Sequence, residues 1–143
     1  MSNCSTTRRF APVLFLFACA LVLAGCSDEV TGPSDVEGGA WRLESMELEG
    51  AAAFVPEDPS RFTVQFNADG TLGVRADCNQ CGGPYTLSGG RLTVGPMACT
   101  LVACPTNRGQ EFASLIDGTA EVEIEDDGEL EIESSDGTLV LTR

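Results

Sequence analysis

Histidine and lysine are both absent from the 143 residues; all eight basic side chains are arginine, against 22 aspartates and glutamates. The missing histidine excludes Ser-His-Asp and Cys-His nucleophilic catalysis, His-based zinc sites and the usual general base at neutral pH. The missing lysine reads as genomic base composition. Positive charge is scarce, and the formal net charge of −14 excludes nucleic-acid binding, because such a surface repels phosphate. The same field repels anionic lipid head groups and steers cationic partners inward. Only carboxylate chemistry survives as a catalytic option. A long hydrophobic run is also lacking. The uncharged stretch 10–23 falls short of the roughly 20 residues that a spanning helix needs, and Pro12 weakens it further.

That stretch follows Arg8 and Arg9, so residues 1–25 read as a basic and then apolar export signal, to be removed. Leu23-Ala24-Gly25-Cys26 resembles the lipobox of bacterial lipoproteins, with small residues ahead of a cysteine that takes lipid. Cleavage before Cys26 frees its amine for a further acyl chain, and more than one chain makes anchoring effectively permanent. An ordinary secretory signal with a fortuitous cysteine is the competing reading. The arginine pair raises a twin-arginine route, but its surroundings match that motif poorly and general secretion is favoured. Ser27, rather than Asp, follows the cysteine. Under enterobacterial-type sorting that favours the periplasmic face of the outer membrane over the inner membrane. Loss of the two leader arginines leaves six against 22 acids, a formal charge of −16.

Residues 26–39 are polar and rich in Gly, Ser and acids, and read as a flexible tether spanning on the order of 20 Å. Residues 40–143 suit one small domain. Two-residue alternation dominates it. Phe62, Val64 and Phe66 alternate with polar residues, and Asn67-Ala68-Asp69-Gly70 leads into Leu72 and Val74. A three-residue loop at 68–70 sets Phe66 opposite Leu72 and Val64 opposite Val74. The same parity at 126–128 sets Ile124 opposite Leu130 and Val122 opposite Ile132. Gly89-Gly90 forms a two-residue turn that pairs Leu87 with Leu92 and Tyr85 with Val94. Ser135-Asp136-Gly137 turns into a last strand over 138–141, and Trp41 and Leu43 open the domain on a first one. Phe112, Leu115 and Ile116 mark one short helix, with Thr106 or Asn107 as its cap after Pro105 and Gly118 at its C′ position. The expected class is mainly β (α+β): a curved antiparallel sheet or small barrel with one short helix.

Cys4 and Cys19 leave with the signal and Cys26 takes lipid, so Cys78, Cys81, Cys99 and Cys104 remain for two disulfides. Extending the Gly89-Gly90 register brings Cys81 near Cys99 and Cys78 near Cys104. The nested pairing fits that register better than the crossed one. Zinc or iron–sulfur ligation and a redox-active Cys78-Asn79-Gln80-Cys81 pair compete; the oxidising compartment disfavours the first, and a missing βαβ context the second.

The densest charge lies on the hairpin 121–133. Its register sets Glu123 opposite Glu131 and Glu125 opposite Glu129, a carboxylate ladder that needs cations, a basic partner or solvent and salt to offset it. Glu123, Glu125, Asp127, Glu129 and Glu131 are therefore candidate cation ligands, with a solvated face as the plainer reading, since no EF-hand-like spacing is present. Asn79, Thr100 and Arg108 form a candidate polar site, with turn and helix capping as the plainer role. Trp41 and Tyr85 read as core. No cofactor is implied.

In order along the chain stand Trp41-Arg42-Leu43, Phe66-Asn67-Ala68-Asp69-Gly70, Asp77-Cys78-Asn79, Gly83-Pro84-Tyr85, and Gly95-Pro96-Met97-Ala98-Cys99-Thr100 running to Ala103-Cys104-Pro105. Glu111-Phe112 with Leu115, Gly128-Glu129-Leu130 and Thr138-Leu139 follow. This set resembles the META domain, the HslJ-like family of heat-inducible envelope lipoproteins, over about residues 39–143. The family usually has Gly where Asp77 stands, and Thr-Arg-Met-Ala-Cys where this chain has Thr100-Leu101-Val102-Ala103-Cys104. Cys81 and Cys99 occupy positions where many members have no cysteine, which implies that they bond to each other. The resemblance implies a non-catalytic envelope module linked to stress, a binding or structural protein and not an enzyme. The competing functions are a small-ligand carrier with a barrel pocket, an acidic inhibitor of a basic enzyme such as lysozyme, and a carboxylate-based hydrolase.

Overall fold

A computed structural model describes residues 31–143; the leader 1–25 and Cys26 lie outside the described residues. Strand β1 (Ala40–Leu48) leads through a thirteen-residue loop, 49–61, to β2 (Phe62–Phe66), and β3 (Thr71–Ala76), β4 (Asn79–Ser88) and β5 (Arg91–Val94) then follow by tight turns. A two-strand-residue stub, β6 (Ala98–Cys99), and a long loop then lead to helix α2 (Arg108–Ile116). Strands β7 (Gly118–Ile124), β8 (Leu130–Ser134) and β9 (Gly137–Thr142) complete the chain, and a single short turn, α1 (Pro33–Val36), precedes β1. Sequential antiparallel pairing runs from β1 to β5, then β7 to β9, and β9 returns to β1. The result is a closed eight-stranded barrel, with β6 paired beside β4 outside the ring. Closure leaves no long open edge in the ring.

Alternation is the reason the ring forms. Each strand sends one set of apolar side chains inward: Phe62, Val64 and Phe66 from β2, Leu72, Val74 and Ala76 from β3, Val122 from β7, Leu130 and Ile132 from β8, Leu139 and Leu141 from β9. An eight-stranded barrel is just wide enough for such side chains to fill it. The loops hold the registers that parity demands. Phe66 faces Leu72 and Val64 faces Val74; Ile124 faces Leu130 and Val122 faces Ile132; Leu87 faces Leu92 and Tyr85 faces Val94. The two-residue turn needs positive φ at both centres, and Gly89 and Gly90 supply +60° and +72°. Helix α2 lays Phe112, Leu115 and Ile116 into the core. Of the two expected caps, Thr106 bonds the helix start, its hydroxyl accepting from the Arg108 N–H (3.4 Å), whereas the Asn107 amide donates to Glu111 Oε1 (2.6 Å) along the helix face.

Strand direction divides the barrel into two ends. At the amino-terminal end lie the hairpin tips 67–70, 89–90 and 125–129, the start of β1 and the end of β9. At the other end lie the β3–β4 turn, both disulfides, the loop 100–107 and α2. The second part of the expected tether is not free chain. Thr31 and Val36 are buried, and the Thr31 carbonyl accepts from the Gly90 N–H (3.2 Å). The Thr31 hydroxyl accepts from the Ile124 N–H (3.2 Å), and Glu37 bridges to Phe66. The Trp41 indole N–H donates to the Val36 carbonyl (2.8 Å), while the Arg143 guanidinium lies 4.1 Å over the Trp41 ring and donates to the Asp35 and Glu37 carbonyls (3.0 and 2.8 Å). A polar composition hid this docking because one fully buried valine anchors the segment.

Candidate functional site

The turn from β3 to β4 organises the second end. Ala76 pairs with Asn79, leaving Asp77 and Cys78 as a two-residue turn, and Asp77 takes φ +60°. Glycine adopts that conformation freely, and aspartate is among the few other residues that tolerate it. What aspartate adds is an ion pair: the carboxylate of Asp77, only 6% exposed, meets the Arg61 guanidinium. The departure from the usual glycine thus exchanges backbone freedom for a bond between the turn and the start of β2.

Cys78 is bonded to Cys104 and Cys81 to Cys99, the nested arrangement, with Cα separations of 5.8 and 4.0 Å. Cys81 and Cys99 are register partners across β4 and β6. Cys78 and Cys81 therefore belong to different bridges, so they do not form a redox pair with each other, and all four sulfurs are committed to disulfides. Asp77, Cys78 and Cys104 converge within 4.8 Å, but two of these three are oxidised sulfurs.

Asn79 pins the loop that the bridges close. Its Oδ1 accepts from the Val102 N–H (2.7 Å) and the Thr100 hydroxyl (3.0 Å), and its Nδ2 donates to the Val102 carbonyl (2.9 Å). Thr100 Oγ1 in turn accepts from the Gln80 N–H (3.0 Å). One amide side chain thereby acts as a strand neighbour for the loop. Of the three expected polar-site residues, Asn79 and Thr100 meet here. Arg108 does not join them: it pairs with Glu111 (2.8 Å) and sits 4.9 Å over the Phe54 ring.

Two clefts flank α2. One, of about 470 Å³, runs between the loop and the helix, lined by Cys99, Leu101, Val102, Gly109, Gln110 and Ala113 among others. The second, of about 430 Å³, lies across the helix start and includes Phe54, Val55, Asp58, Asp77 and Arg108. Gly109 sets the distance between helix and barrel, since a Cβ there would stand 2.4 Å from the Ala76 carbonyl oxygen. Leu101, Val102 and Val55 are the exposed large hydrophobic side chains among the described residues, at 96%, 56% and 67%. All three line these two clefts. Nothing in the sequence pattern marked them, because the loops carrying them have no periodicity.

The carboxylate ladder is assembled as the register requires. Glu123 stands opposite Glu131 and Glu121 opposite Glu133, and the Glu125 N–H donates to the Glu129 carbonyl (2.9 Å). Neighbouring charge from Glu123, with lesser contributions from Glu131, Asp127 and Asp126, pushes the Glu125 carboxyl above its ordinary pKa. Glu129 is raised by desolvation first, then by Asp127 and Glu44. Asp127 is engaged locally, its Oδ1 accepting from the Glu129 N–H (3.2 Å), and Arg91 pairs with Glu121 (2.8 Å) at the edge of the ladder. Trp41 and Tyr85 are core residues. The Tyr85 hydroxyl lies 3.2 Å from both Glu37 Oε1 and the Asn67 carbonyl, and burial followed by its bond to Glu37 pushes its pKa up to about 12.

No curated protein matches the chain. Solved structures share its fold, among them two determined by NMR. An NMR structure at 21% identity covers 78% of this chain and 94% of its own, with a TM-score of 0.62. The other, an NMR structure of a protein from Burkholderia xenovorans at 17% identity, covers 100% of this chain and 98% of its own, with a TM-score of 0.60. The family model of the META domain matches residues 34–143. With the barrel, its helix and the ordered markers, that match over most of the length places the chain in the META domain family.

Proposed function

We infer that this protein is a lipid-anchored, non-catalytic binding module of the cell envelope, stress-related in role, that holds a partner polypeptide at the disulfide end of its barrel. The observation that carries the reading is the exposure of Leu101 and Val102 on a loop tied down by two disulfides and Asn79, with Val55 exposed beside the second cleft on a loop that Phe54 holds to Arg108 of α2. Exposed apolar groups grouped beside clefts mark interaction sites, whereas scattered ones do not. Rigid loops also lose little entropy on binding. The formal charge of −16 left after loss of the two leader arginines, six Arg against 22 acids, favours a partner that is basic around an apolar anchor. Cys26 and its lipobox supply the anchor.

Two observations weigh against the other readings. The barrel axis is occupied by Leu43, Val64, Leu92, Ile132 and Leu139, all essentially inaccessible, which leaves little for a ligand carried inside. Among the described residues Asp77 is the one buried carboxylate, and Arg61 already engages it, so a pair of buried acids in one cleft is not what this end presents. The acidic-inhibitor reading keeps one feature, the exposed tip Glu125 to Asp127.

A photo-crosslinking residue at position 101, compared with one at 123 and one at 127, separates these readings in the native envelope. The proposal expects a discrete protein adduct from position 101 alone. An adduct confined to 127 supports the inhibitor, and silence at 101 overturns the reading.

A further inference from the structure

We propose that the anchor holds the barrel upright on the bilayer, with the amino-terminal end against the lipid and the disulfide end pointing away. The inference rests on the lipid-anchor reading and adds an orientation to it. It starts from the point where the chain becomes pinned. Thr31 is buried and bonded at both its carbonyl and its hydroxyl, to Gly90 and Ile124, the flanks of two hairpin tips. Val36 is fully buried behind it, and Arg143, the last residue of β9's extension, clamps the Asp35 and Glu37 carbonyls while stacking on Trp41. The chain leaving Thr31 toward Cys26 therefore departs from one end of the barrel.

Only five peptide steps separate Cys26 from Thr31, so even fully extended they reach about 18 Å. Composition alone suggested a tether of fourteen residues, because it counted 31–39 as free. The barrel wall is comparable with the true reach: β7, which crosses from one end to the other, has seven residues and rises on the order of 20 Å. With the loops and α2 added beyond that wall, the tether is too short to let the disulfide end turn down to the membrane while Cys26 stays in it.

Two consequences follow for the surfaces. Leu101, Val102 and Val55 are held away from the bilayer, where a partner can approach them. The acidic tip 125–129 is held close to the lipid, which disfavours it as an inhibitory loop.

The test uses isotopically labelled, acylated full-length protein in nanodiscs carrying gadolinium-chelate head groups. Amide relaxation enhancement is expected to be severalfold larger at Gly90 and Gly128 than at Leu101 and Gln110. Inserting a long Gly-Ser segment after Ser27 is expected to shrink that contrast. Acylated, disc-bound protein with equal or reversed enhancement overturns the orientation alone, as does a contrast indifferent to tether length. A chain recovered without acyl mass, or one that does not associate with the discs, overturns the anchor and the orientation with it.

Discussion

Removing the two disulfides singly and together gives a sharp test, because one bridge lies inside the other. Closing a loop in the unfolded chain costs entropy that grows with the logarithm of its length. Taken alone, the Cys78–Cys104 bridge (separation 26) is worth about 3.5 kcal/mol and the Cys81–Cys99 bridge (separation 18) about 3.2 kcal/mol. Nesting changes this. Once the inner bridge is closed, the outer one constrains only the eight residues by which the separations 26 and 18 differ, so Cys78→Ala with Cys104→Ala costs about 2.5 kcal/mol. With the outer bridge kept, the inner one closes an effective loop of about 5–6 residues, so Cys81→Ala with Cys99→Ala costs about 2.1 kcal/mol. Removing both costs about 5.7 kcal/mol, roughly 1 kcal/mol more than the two pairs summed. Urea unfolding of the four species, with m-values compared, measures the cycle. A strictly additive cycle, or an excess of the opposite sign, refutes the loop-entropy account and places the effect in native packing around Cys81.

Asp77→Ala should destabilise by about 1–2 kcal/mol, since alanine keeps the positive-φ penalty and loses the Arg61 pair; Asp77→Gly should stay within about 1 kcal/mol of the parent, and equal melting of the two variants would show that the backbone angle is irrelevant. Gly109→Ala pushes a methyl into the Ala76 carbonyl and should cost about 1–3 kcal/mol while shifting the amide resonances of α2 relative to β3; an unshifted spectrum would contradict the close approach. Glu125 and Glu129 have folded-state pKa values raised above their ordinary range, so their contribution is most favourable at low pH and is lost as pH rises through those raised values. Asp58 and Asp69 are lowered, chiefly by hydrogen bonds from Ser60 and Thr71, and withdraw stability only as pH falls below 3.8. Thermal scans should therefore show a maximum on the acidic side of neutral, and Glu125→Gln should raise the midpoint at pH 7 in low salt but not in molar salt, where the screening length is about 3 Å; the same gain at both salt levels would rule out repulsion as its cause.

Much of the barrel is legible because strand parity is unforgiving. Shifting Phe62, Val64 and Phe66 by one residue against Leu72 and Val74 would expose every apolar side chain, so loop length and alternation specify the hairpins together. The same arithmetic, carried outward from Gly89-Gly90, brings Cys81 within one residue of Cys99, and a one-residue shift between β5 and β6 completes the alignment. Closure is different. Strand β9 returns to β1 across almost the whole chain, with a register shift between Leu43 and Ser45, and no turn joins the two to record that pairing locally.

The sequence by itself determined the local terms: hairpin registers, the helix at Phe112 to Ile116, an acidic face and the exclusion of histidine chemistry. These depend on neighbouring residues or on composition, and both are written along the chain. Tertiary structure alone decided the docking of Thr31 and Val36, the pairing of Asp77 with Arg61, the departure of Arg108 from Asn79 and Thr100, and the gathering of Leu101, Val102 and Val55 at one end. Each of these joins segments that meet only because the ring closes, and their free energies depend on burial and distance that no linear pattern contains.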